Sequence, residues 1–216
     1  MIAVIDYGAG NIRSVSNALL SLGCMPLVTR DPAEVLKARA IIFPGVGAAA
    51  DTMRSLSNTG LDTAIRQAVI ARLPLMAICV GMQVLFSYTE EDGINECLNI
   101  VPGSVRRLPE GRKVPHMGWN QVQKKIDHPM FEGIPDNSNF YFVHSYYPAP
   151  ANNDIVAGTT EYGLSFCSMI VRDSIIATQF HPEKSGQTGL RMYANFLRLA
   201  GEKAARAPAR TQGDSC

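Results

Sequence analysis

The sequence lacks the features of a metal-binding, disulfide-stabilised or membrane-spanning protein. Its five cysteines are dispersed, odd in number and without a C-x-x-C pair, which disfavours both a zinc site and a disulfide framework. No window approaches the roughly 18 consecutive apolar residues of a transmembrane helix. The first residues form a short apolar run without a basic segment, which predicts a strand and not a signal peptide. We expect a soluble, cytoplasmic protein that uses no metal or other cofactor.

The chain also has no excess of one charge. It contains 20 basic and 19 acidic residues, with a formal net charge of +1, so bulk charge gives no reason to expect nucleic acid or a membrane surface as a partner. With 216 residues, 46% of them hydrophobic, the chain can bury one substantial core. We predict one domain over residues 1–201. The tail, residues 202–216, lacks apolar periodicity and is expected to be disordered.

The order of apolar runs predicts an α/β fold. In the first half, short apolar runs alternate with helical stretches, which is typical of a parallel sheet with crossover helices. From residue 102 to residue 171 the runs are short and rich in β-branched and aromatic residues, which favours antiparallel strands. A last helix is predicted near 189–199. We therefore predict a mixed, mostly parallel central sheet flanked by helices, with an antiparallel extension.

A lone cysteine, Cys79, lies between a predicted strand and a predicted helix. The apolar run 74–78 is typical of a strand buried on both faces, and 82–86 is predicted to be helical. The resulting A-x-C-x-G pattern resembles the nucleophile elbow, usually written G-x-S-x-G. The N-terminus of a helix favours a thiolate. The alternative is an inert cysteine in the core, where free cysteines are common.

A second signal, His181-Pro182-Glu183, follows the alternating apolar run 174–180. If that strand continues, side chains two residues apart point to the same side, so Glu183 can orient His181. This is the arrangement of a catalytic triad, in which a base takes the proton of the nucleophile and an acid holds the base. A surface histidine beside an exposed glutamate is the alternative. The elbow and this tripeptide together favour a triad.

Two glycine-rich segments follow other predicted strands. Pro44-Gly45-Val46-Gly47 comes after the strand 40–43 and can supply a backbone N–H to an oxyanion hole, together with the N–H of Val80. A plain strand-to-helix turn is the alternative. Gly8-Ala9-Gly10-Asn11 lacks the third glycine of a dinucleotide fingerprint, so we predict a tight turn there and no nucleotide binding.

The single tryptophan, Trp119, lies in the polar, turn-rich segment 113–120. Such a residue suits an interface or the wall of a pocket, although it could equally cap a small core over a hairpin. The segment 141–147 is a strand with a polar and aromatic end, which could present backbone and hydroxyl groups to a small substrate.

These motifs together resemble the class I, triad-type glutamine amidotransferases over residues 1–199, a family with a flavodoxin-like fold. More narrowly, the segments 115–120 and 180–185 are similar to those of the glutaminase subunits of imidazole glycerol phosphate synthases. Two positions depart from the usual pattern: Ala77 stands in place of glycine and Val80 in place of leucine. Both changes are small, because alanine fits a crowded elbow and Val80 would contribute only its backbone.

The resemblance implies hydrolysis of glutamine through a thioester on Cys79, with His181 as base and Glu183 as its orienting acid. Val80 and, after a backbone rearrangement, Val46 would supply the oxyanion N–H groups. The positions that match those holding glutamine are Gly45, Gly47, Gln83, His144, Ser145 and Tyr146.

The resemblance further implies a heterodimer with a (β/α)8-barrel cyclase, which receives the ammonia and makes imidazole glycerol phosphate and an aminoimidazole carboxamide ribotide in histidine biosynthesis. Candidate interface residues are Asn11, Trp119, Tyr141 and Lys184. One alternative is a paralogous glutaminase that feeds another synthase, such as one that aminates a sugar precursor. Another is a catalytically silent binding subunit, but the presence of all three triad residue types argues against it.

Overall fold

A computed structural model describes residues 1–201. The predicted disordered tail, residues 202–216, lies outside the described residues, so its boundary stays a prediction. The strands are β1 (Ile2–Ile5), β2 (Pro26–Thr29), β3 (Ala40–Phe43), β4 (Leu75–Ile78), β5 (Tyr88–Thr89), β6 (Asn95–Glu96), β7 (Gly103–Arg107), β8 (His116–Lys124), β9 (Ser138–His144), β10 (Tyr146–Pro150), β11 (Val156–Glu161), β12 (Ser165–Arg172) and β13 (Ile175–Thr178). The α-helices are α1 (Ile12–Ser21), α2 (Pro32–Lys37), α3 (Ala49–Thr59), α4 (Leu61–Ile70), α5 (Val80–Gln83) and α6 (Gly186–Leu199).

Within residues 1–201, nine strands form a central sheet in the order β2-β1-β3-β4-β13-β12-β11-β8-β9. The first five of these pair in parallel and the remaining pairs are antiparallel. Strands β1, β3, β4 and β13 are buried at every position, because their sequences are apolar on both faces. The predicted mixed α/β sheet is confirmed.

The antiparallel part is divided between two sheets, which the sequence pattern does not reveal. Strands β7 and β10 are not part of the central sheet. They pair with β5 and β6 in a second sheet of the described chain, in the order β10-β7-β5-β6. Strands β5 and β6 have two residues each, too few to show a periodic pattern. The fold also contains α3, which the sequence did not predict, and α5 covers residues 80–83, where the sequence predicted a helix over residues 82–86.

The parallel half of the sheet brings distant loops together. Strands β1, β3, β4 and β13 are adjacent and point the same way, so the segments that follow them meet at one edge of the sheet. In α/β sheets, ligands bind outside this edge. None of the helices among residues 1–201 is long and apolar enough to cross a membrane.

Candidate active site

Cys79 occupies the turn between β4 and α5 and has a left-handed backbone conformation. Its φ is 54° and its ψ is −113°, which is strained for a residue with a side chain. The turn is tight because backbone packs directly on backbone: a Cβ on Gly45 would overlap the nitrogen of Gly81, and one on Gly81 would overlap the carbonyl oxygen of Phe43. The N–H of Cys79 donates to Thr178 at 2.7 Å and ties the elbow to β13.

The short α5 changes one sequence argument. A single turn sums few peptide dipoles, so the macrodipole at Cys79 is weak. Cys97 and Cys167 are also buried, but burial raises the pKa of Cys97 to about 11 and that of Cys167 to about 12, which keeps both as thiols. Neither lies beside a histidine in the cavity described below.

The side chains of His181 and Glu183 are in contact, as expected, but the backbone between them does not continue the strand. Strand β13 ends at Thr178, and Glu183 lies in a 3-10 turn, Pro182–Lys184. The expectation of a continued strand is therefore wrong, because Pro182 starts the turn and has no N–H for a sheet. The Nδ1 atom of His181 lies 2.8 Å from Oε1 of Glu183, and both side chains are 1% exposed.

The electrostatics of this pair favour a charged imidazole. Burial lowers the pKa of His181, whereas the sulfur of Cys79 and the carboxylate of Glu183 raise it more strongly, so the pKa lies above its ordinary value. The other ring nitrogen, Nε2, is buried without a hydrogen-bond partner among the described residues. That atom can therefore exchange a proton with the nucleophile or the substrate.

A cavity of about 350 Å³ opens beside these residues. Its described lining includes most of the residues singled out in the sequence: Val46, Gly47, Cys79, Val80, Gln83, His144, Ser145, Tyr146 and His181. Glu183 lies behind His181 and does not line the cavity. Gly45 is also outside the lining and packs against the elbow backbone, so its role in holding glutamine stays a prediction.

The N–H of Val46 is engaged inside the protein. It donates to the hydroxyl of Tyr7 at 3.3 Å. Tyr7 is 4% exposed and packs edge-on against Phe43, with ring centroids 5.7 Å apart. An oxyanion hole that uses both Val46 and Val80 therefore requires this hydrogen bond to break first.

Gln83 supports the cavity wall through its side-chain amide. Its Nε2 donates to the carbonyl of Tyr146 at 3.0 Å and to Oε1 of Gln179 at 2.9 Å. The Nε2 of Gln179 in turn lies 3.6 Å from the sulfur of Cys79. Gln179 is fully buried. The nucleophile, the elbow helix and the Tyr146 segment are thus joined by amide hydrogen bonds.

Glu91 is a cavity residue that sequence reasoning missed. Its Oε2 accepts a hydrogen bond from the N–H of Ala49 at 2.7 Å, and burial raises the pKa of its carboxyl. It lines the cavity together with Cys79. The sequence contains no signal for it, because Glu90, Glu91 and Asp92 form a run of acidic residues that normally indicates an exposed turn.

The candidate interface residues do not all lie together. Trp119 is 58% exposed and packs edge-on against Tyr141, with centroids 6.1 Å apart. The Nζ of Lys184 lies 5.8 Å from the centroid of the same tyrosine ring, within the range of a cation–π contact. Asn11 instead donates to Oε1 of Glu183 at 3.3 Å, so this candidate contacts the carboxylate that is hydrogen-bonded to His181.

Residues 1–201 contain no group of three or more His, Cys, Asp or Glu side chains that could hold a metal ion. The chemistry that the arrangement supports is covalent catalysis by a buried cysteine with a histidine and a carboxylate.

A family model and curated relatives both match nearly the whole chain. The family model described as "Glutamine amidotransferase class-I" matches residues 3–200. A curated relative from Dehalococcoides mccartyi (strain CBDB1), "Imidazole glycerol phosphate synthase subunit HisH", is 56% identical over 204 residues, covering 94% of this chain and all of the relative. A protein of the same name from Chloroflexus aurantiacus is 52% identical over 202 residues, covering 92% and 95%.

Solved structures show the same fold at low sequence identity. A crystal structure of a glutamine amidotransferase superposes with a TM-score of 0.70 at 21% identity, covering 93% of this chain and all of that one. The structure of PurLQS from Thermotoga maritima gives a TM-score of 0.71 at 16% identity, covering 92% and 97%.

Proposed function

The chain belongs to the class I glutamine amidotransferases, and on that premise we propose that Cys79 hydrolyses glutamine to glutamate and ammonia. It acts as the glutaminase subunit of an imidazole glycerol phosphate synthase, in histidine biosynthesis. The curated relatives at 56% and 52% identity, both named as subunits of that synthase, support this assignment. The observation that carries the mechanism is the meeting of Cys79 and His181 in one cavity, with Glu183 hydrogen-bonded behind His181.

The reaction follows from these positions. Because the raised pKa of His181 favours a charged ring, the proton of Cys79 already resides on Nε2 of His181, and the thiolate attacks the side-chain carbonyl carbon of glutamine. The tetrahedral intermediate collapses as His181 returns its proton to the departing nitrogen, releasing ammonia and leaving a thioester. His181 then takes a proton from water, whose oxygen attacks the thioester and releases glutamate. Glu183 keeps Nδ1 of His181 protonated and fixes the ring throughout.

The oxyanion hole explains why the isolated chain should be a weak glutaminase. Val80 lines the cavity directly after the nucleophile, in the position that supplies one donor. The second donor, the N–H of Val46, is bonded to Tyr7. Loss of one oxyanion donor typically costs about 3–4 kcal/mol of transition-state stabilisation. Activation therefore requires the segment Pro44 to Gly47 to turn its N–H into the cavity.

Glu91 supplies a charge that glutamine needs. Glutamine carries an α-ammonium group, and Glu91 is the acidic side chain in the described lining of the cavity. Its Oε2 is held by Ala49, which leaves the rest of the carboxylate to meet the ammonium. Ser145, Tyr146 and Gly47 also line the cavity. The site thus accepts an amino acid whose amide end reaches Cys79.

The partner is a (β/α)8-barrel cyclase in a heterodimer, and the lyase step of the synthase belongs to that partner. The surface formed by Trp119, Tyr141 and Lys184 is the proposed contact, since it combines an exposed indole, a second aromatic ring and a cation. Ammonia passes directly to the cyclase. Cys79, Cys97 and Cys167 form no disulfide bond, which supports a reducing, cytoplasmic location.

Two variants and two nitrogen sources test this function. In the complex with the cyclase, Cys79→Ala should abolish glutamine-dependent synthesis and leave synthesis from added ammonium salts unchanged. The control Cys97→Ala removes another buried thiol and should keep both activities. Glutamine-dependent turnover by Cys79→Ala would contradict the mechanism, and a pull-down that recovers a different synthase would contradict the assigned partner.

A further inference from the structure

Two buried histidines face each other across neighbouring strands. His116 begins β8 and His144 ends β9, and the two residues are directly paired in the sheet register. The side chains are buried, and Nδ1 of His116 lies 3.0 Å from Nε2 of His144. The proposed mechanism uses neither ring, although His144 lines the cavity.

The partners at the two ends determine which atom donates each hydrogen bond. The Nδ1 atom of His144 lies 2.8 Å from the carbonyl oxygen of Tyr146, which can only accept. In a neutral His144 ring, Nε2 is then an acceptor, so Nδ1 of His116 must donate to it.

The other end of the pair agrees with this direction. The Nε2 of His116 lies 3.3 Å from Nδ2 of Asn120. The orientation of that amide is set by its other bonds, since Oδ1 accepts from the N–H of Gln121 and Nδ2 donates to the carbonyl of Glu161. The bonds therefore run in one direction, from Asn120 through His116 and His144 to Tyr146.

This direction requires both rings to be neutral. If His144 carried a second proton, Nε2 would become a donor, and His116 would have to present an N–H to the NH₂ group of Asn120. Burial lowers the pKa of His116 to about 4, and burial together with the neighbouring histidines lowers the pKa of His144 to about 3. Both rings are thus neutral at pH 7.

The chain of bonds ends on the wall of the glutamine site. The carbonyl of Tyr146 that accepts from His144 also accepts from Nε2 of Gln83. Gln83 continues through Gln179 to the sulfur of Cys79. His116 does not touch the nucleophile. Its hydrogen bond to His144 instead restrains the segment that contains Ser145 and Tyr146, through the bond from His144 to the carbonyl of Tyr146.

We propose that His116 is a positioning residue of the glutamine site, which, as a neutral donor, holds His144 and through it the Tyr146 carbonyl in place. This proposal rests on the glutaminase function argued above. A packing role is the competing explanation, because the ring of His116 stacks on Tyr162 at 3.9 Å and on Phe142 at 4.9 Å between centroids.

Two substitutions at His116 separate these explanations. His116→Phe keeps a flat ring for stacking but leaves Nε2 of His144 without a donor. His116→Asn loses the stacking but places an amide N–H near the position of Nδ1. The positioning role predicts that His116→Phe raises KM for glutamine about tenfold, as expected for a buried acceptor left unpaired, and that His116→Asn stays within about threefold of the wild-type KM. A packing role predicts the reverse order.

The measurement is glutamine-dependent synthesis by the complex with the cyclase, with ammonium-dependent synthesis as the control that neither variant should alter. If the wild-type complex uses glutamine and His116→Phe keeps the wild-type KM, the positioning role is wrong while the glutaminase function stands. If the wild-type complex cannot use glutamine, the glutaminase function itself fails, and the positioning role fails with it.

A second measurement on the unmodified protein avoids any dependence on the folding of the variants. The nitrogen-15 shifts of the imidazole rings report which nitrogen carries the proton. We expect His116 and His144 both to be neutral with the proton on Nδ1 at pH 7. A proton on Nε2 of either ring would reverse the direction of the bonds and overturn the proposal.

Discussion

The backbone N–H of Val46 donates a hydrogen bond to the hydroxyl of Tyr7, with 3.3 Å between nitrogen and oxygen. Tyr7 follows β1 and Val46 follows β3, and these strands are neighbours in the sheet. Burial raises the pKa of Tyr7, so its hydroxyl stays protonated and neutral. This contact keeps the N–H of Val46 away from the position that an oxyanion would occupy.

Removing the hydroxyl should therefore raise the basal activity of the isolated chain. In Tyr7→Phe the N–H of Val46 loses its acceptor, which lowers the free-energy cost of turning into the cavity. A net hydrogen bond is worth about 0.5–1.5 kcal/mol, so we expect glutamine hydrolysis without the cyclase to increase about two- to tenfold. Release of glutamate by the isolated chain is the measurement.

The control for this variant is Tyr88→Phe, which removes a hydroxyl from an exposed position on β5. It should leave basal hydrolysis unchanged. Unchanged or lower hydrolysis by Tyr7→Phe would mean that the Tyr7 hydroxyl does not restrain the oxyanion loop.

Substitution of Glu91 should weaken the binding of glutamine more than it lowers the catalytic rate. Glu91→Gln keeps the shape of the side chain but removes the charge that we assign to the α-ammonium of glutamine. Hydrogen bonds to charged groups contribute about 1.5–3 kcal/mol, so KM for glutamine should rise at least about tenfold, with a smaller effect on kcat. Steady-state kinetics of the complex at saturating cyclase ligand would measure both constants.

The neighbouring Glu90 is exposed and provides the matched control. Glu90→Gln makes the same chemical change one residue away and should keep the wild-type KM. Equal effects of the two substitutions would point to a general loss of negative charge and not to a specific contact at Glu91.

The sequence predicted that Cys79, His181 and Glu183 lie close together, because each of them lies in or beside a local pattern. Cys79 follows a fully apolar run, and His181 and Glu183 follow another. Parallel strands align their carboxyl ends, so residues more than a hundred positions apart could be expected to meet. The predicted backbone conformation was wrong at one point, since Glu183 contacts His181 from a 3-10 turn and not from a continued strand.

Other parts of the site could not be predicted, because they depend on contacts between segments that have no shared pattern. Tyr7 meets Val46 only because β1 lies beside β3. Glu91 lies in an acidic turn and enters the cavity because Ala49 holds its carboxylate. The pairing of His116 with His144 depends on the register of β8 and β9, which the sequence does not specify at the level of single residues.

Gly45 makes a prediction about stability. A Cβ at this position would overlap the backbone of the elbow at Gly81, and backbone cannot move aside as a flexible side chain can. Gly45→Ala should therefore lower the free energy of unfolding by about 3 kcal/mol or more, at the upper end of the cost of overpacking. Urea denaturation of the isolated chain would measure the change.

Gly23 provides the contrasting case. It has a φ of +75°, and a Cβ at this position would meet open space, so Gly23→Ala tests backbone strain without a clash. Its cost should be only about 1–2 kcal/mol. If the two alanine variants lost the same stability, the close approach at Gly45 would not be what restricts that position to glycine.

The buried histidine pair makes stability depend on acid pH. The folded chain lowers the pKa of His116 to about 4 and that of His144 to about 3, while both titrate near 6.5 when unfolded. Between these values the unfolded chain binds more protons than the folded chain, so stability falls as the pH drops below about 6.5. Each histidine contributes a slope of up to about 1.4 kcal/mol per pH unit near pH 5.

Substitution of one member isolates this contribution. The free energy of unfolding of His116→Asn, measured by urea denaturation from pH 7 to pH 4.5, should fall less steeply than that of the wild type, by up to about 1.4 kcal/mol per pH unit. His128→Asn removes a partly exposed histidine from another turn and should retain the contribution of the buried pair. A wild-type slope in His116→Asn would show that His116 becomes protonated in the folded chain, because only then would its loss leave the proton balance between the two states unchanged.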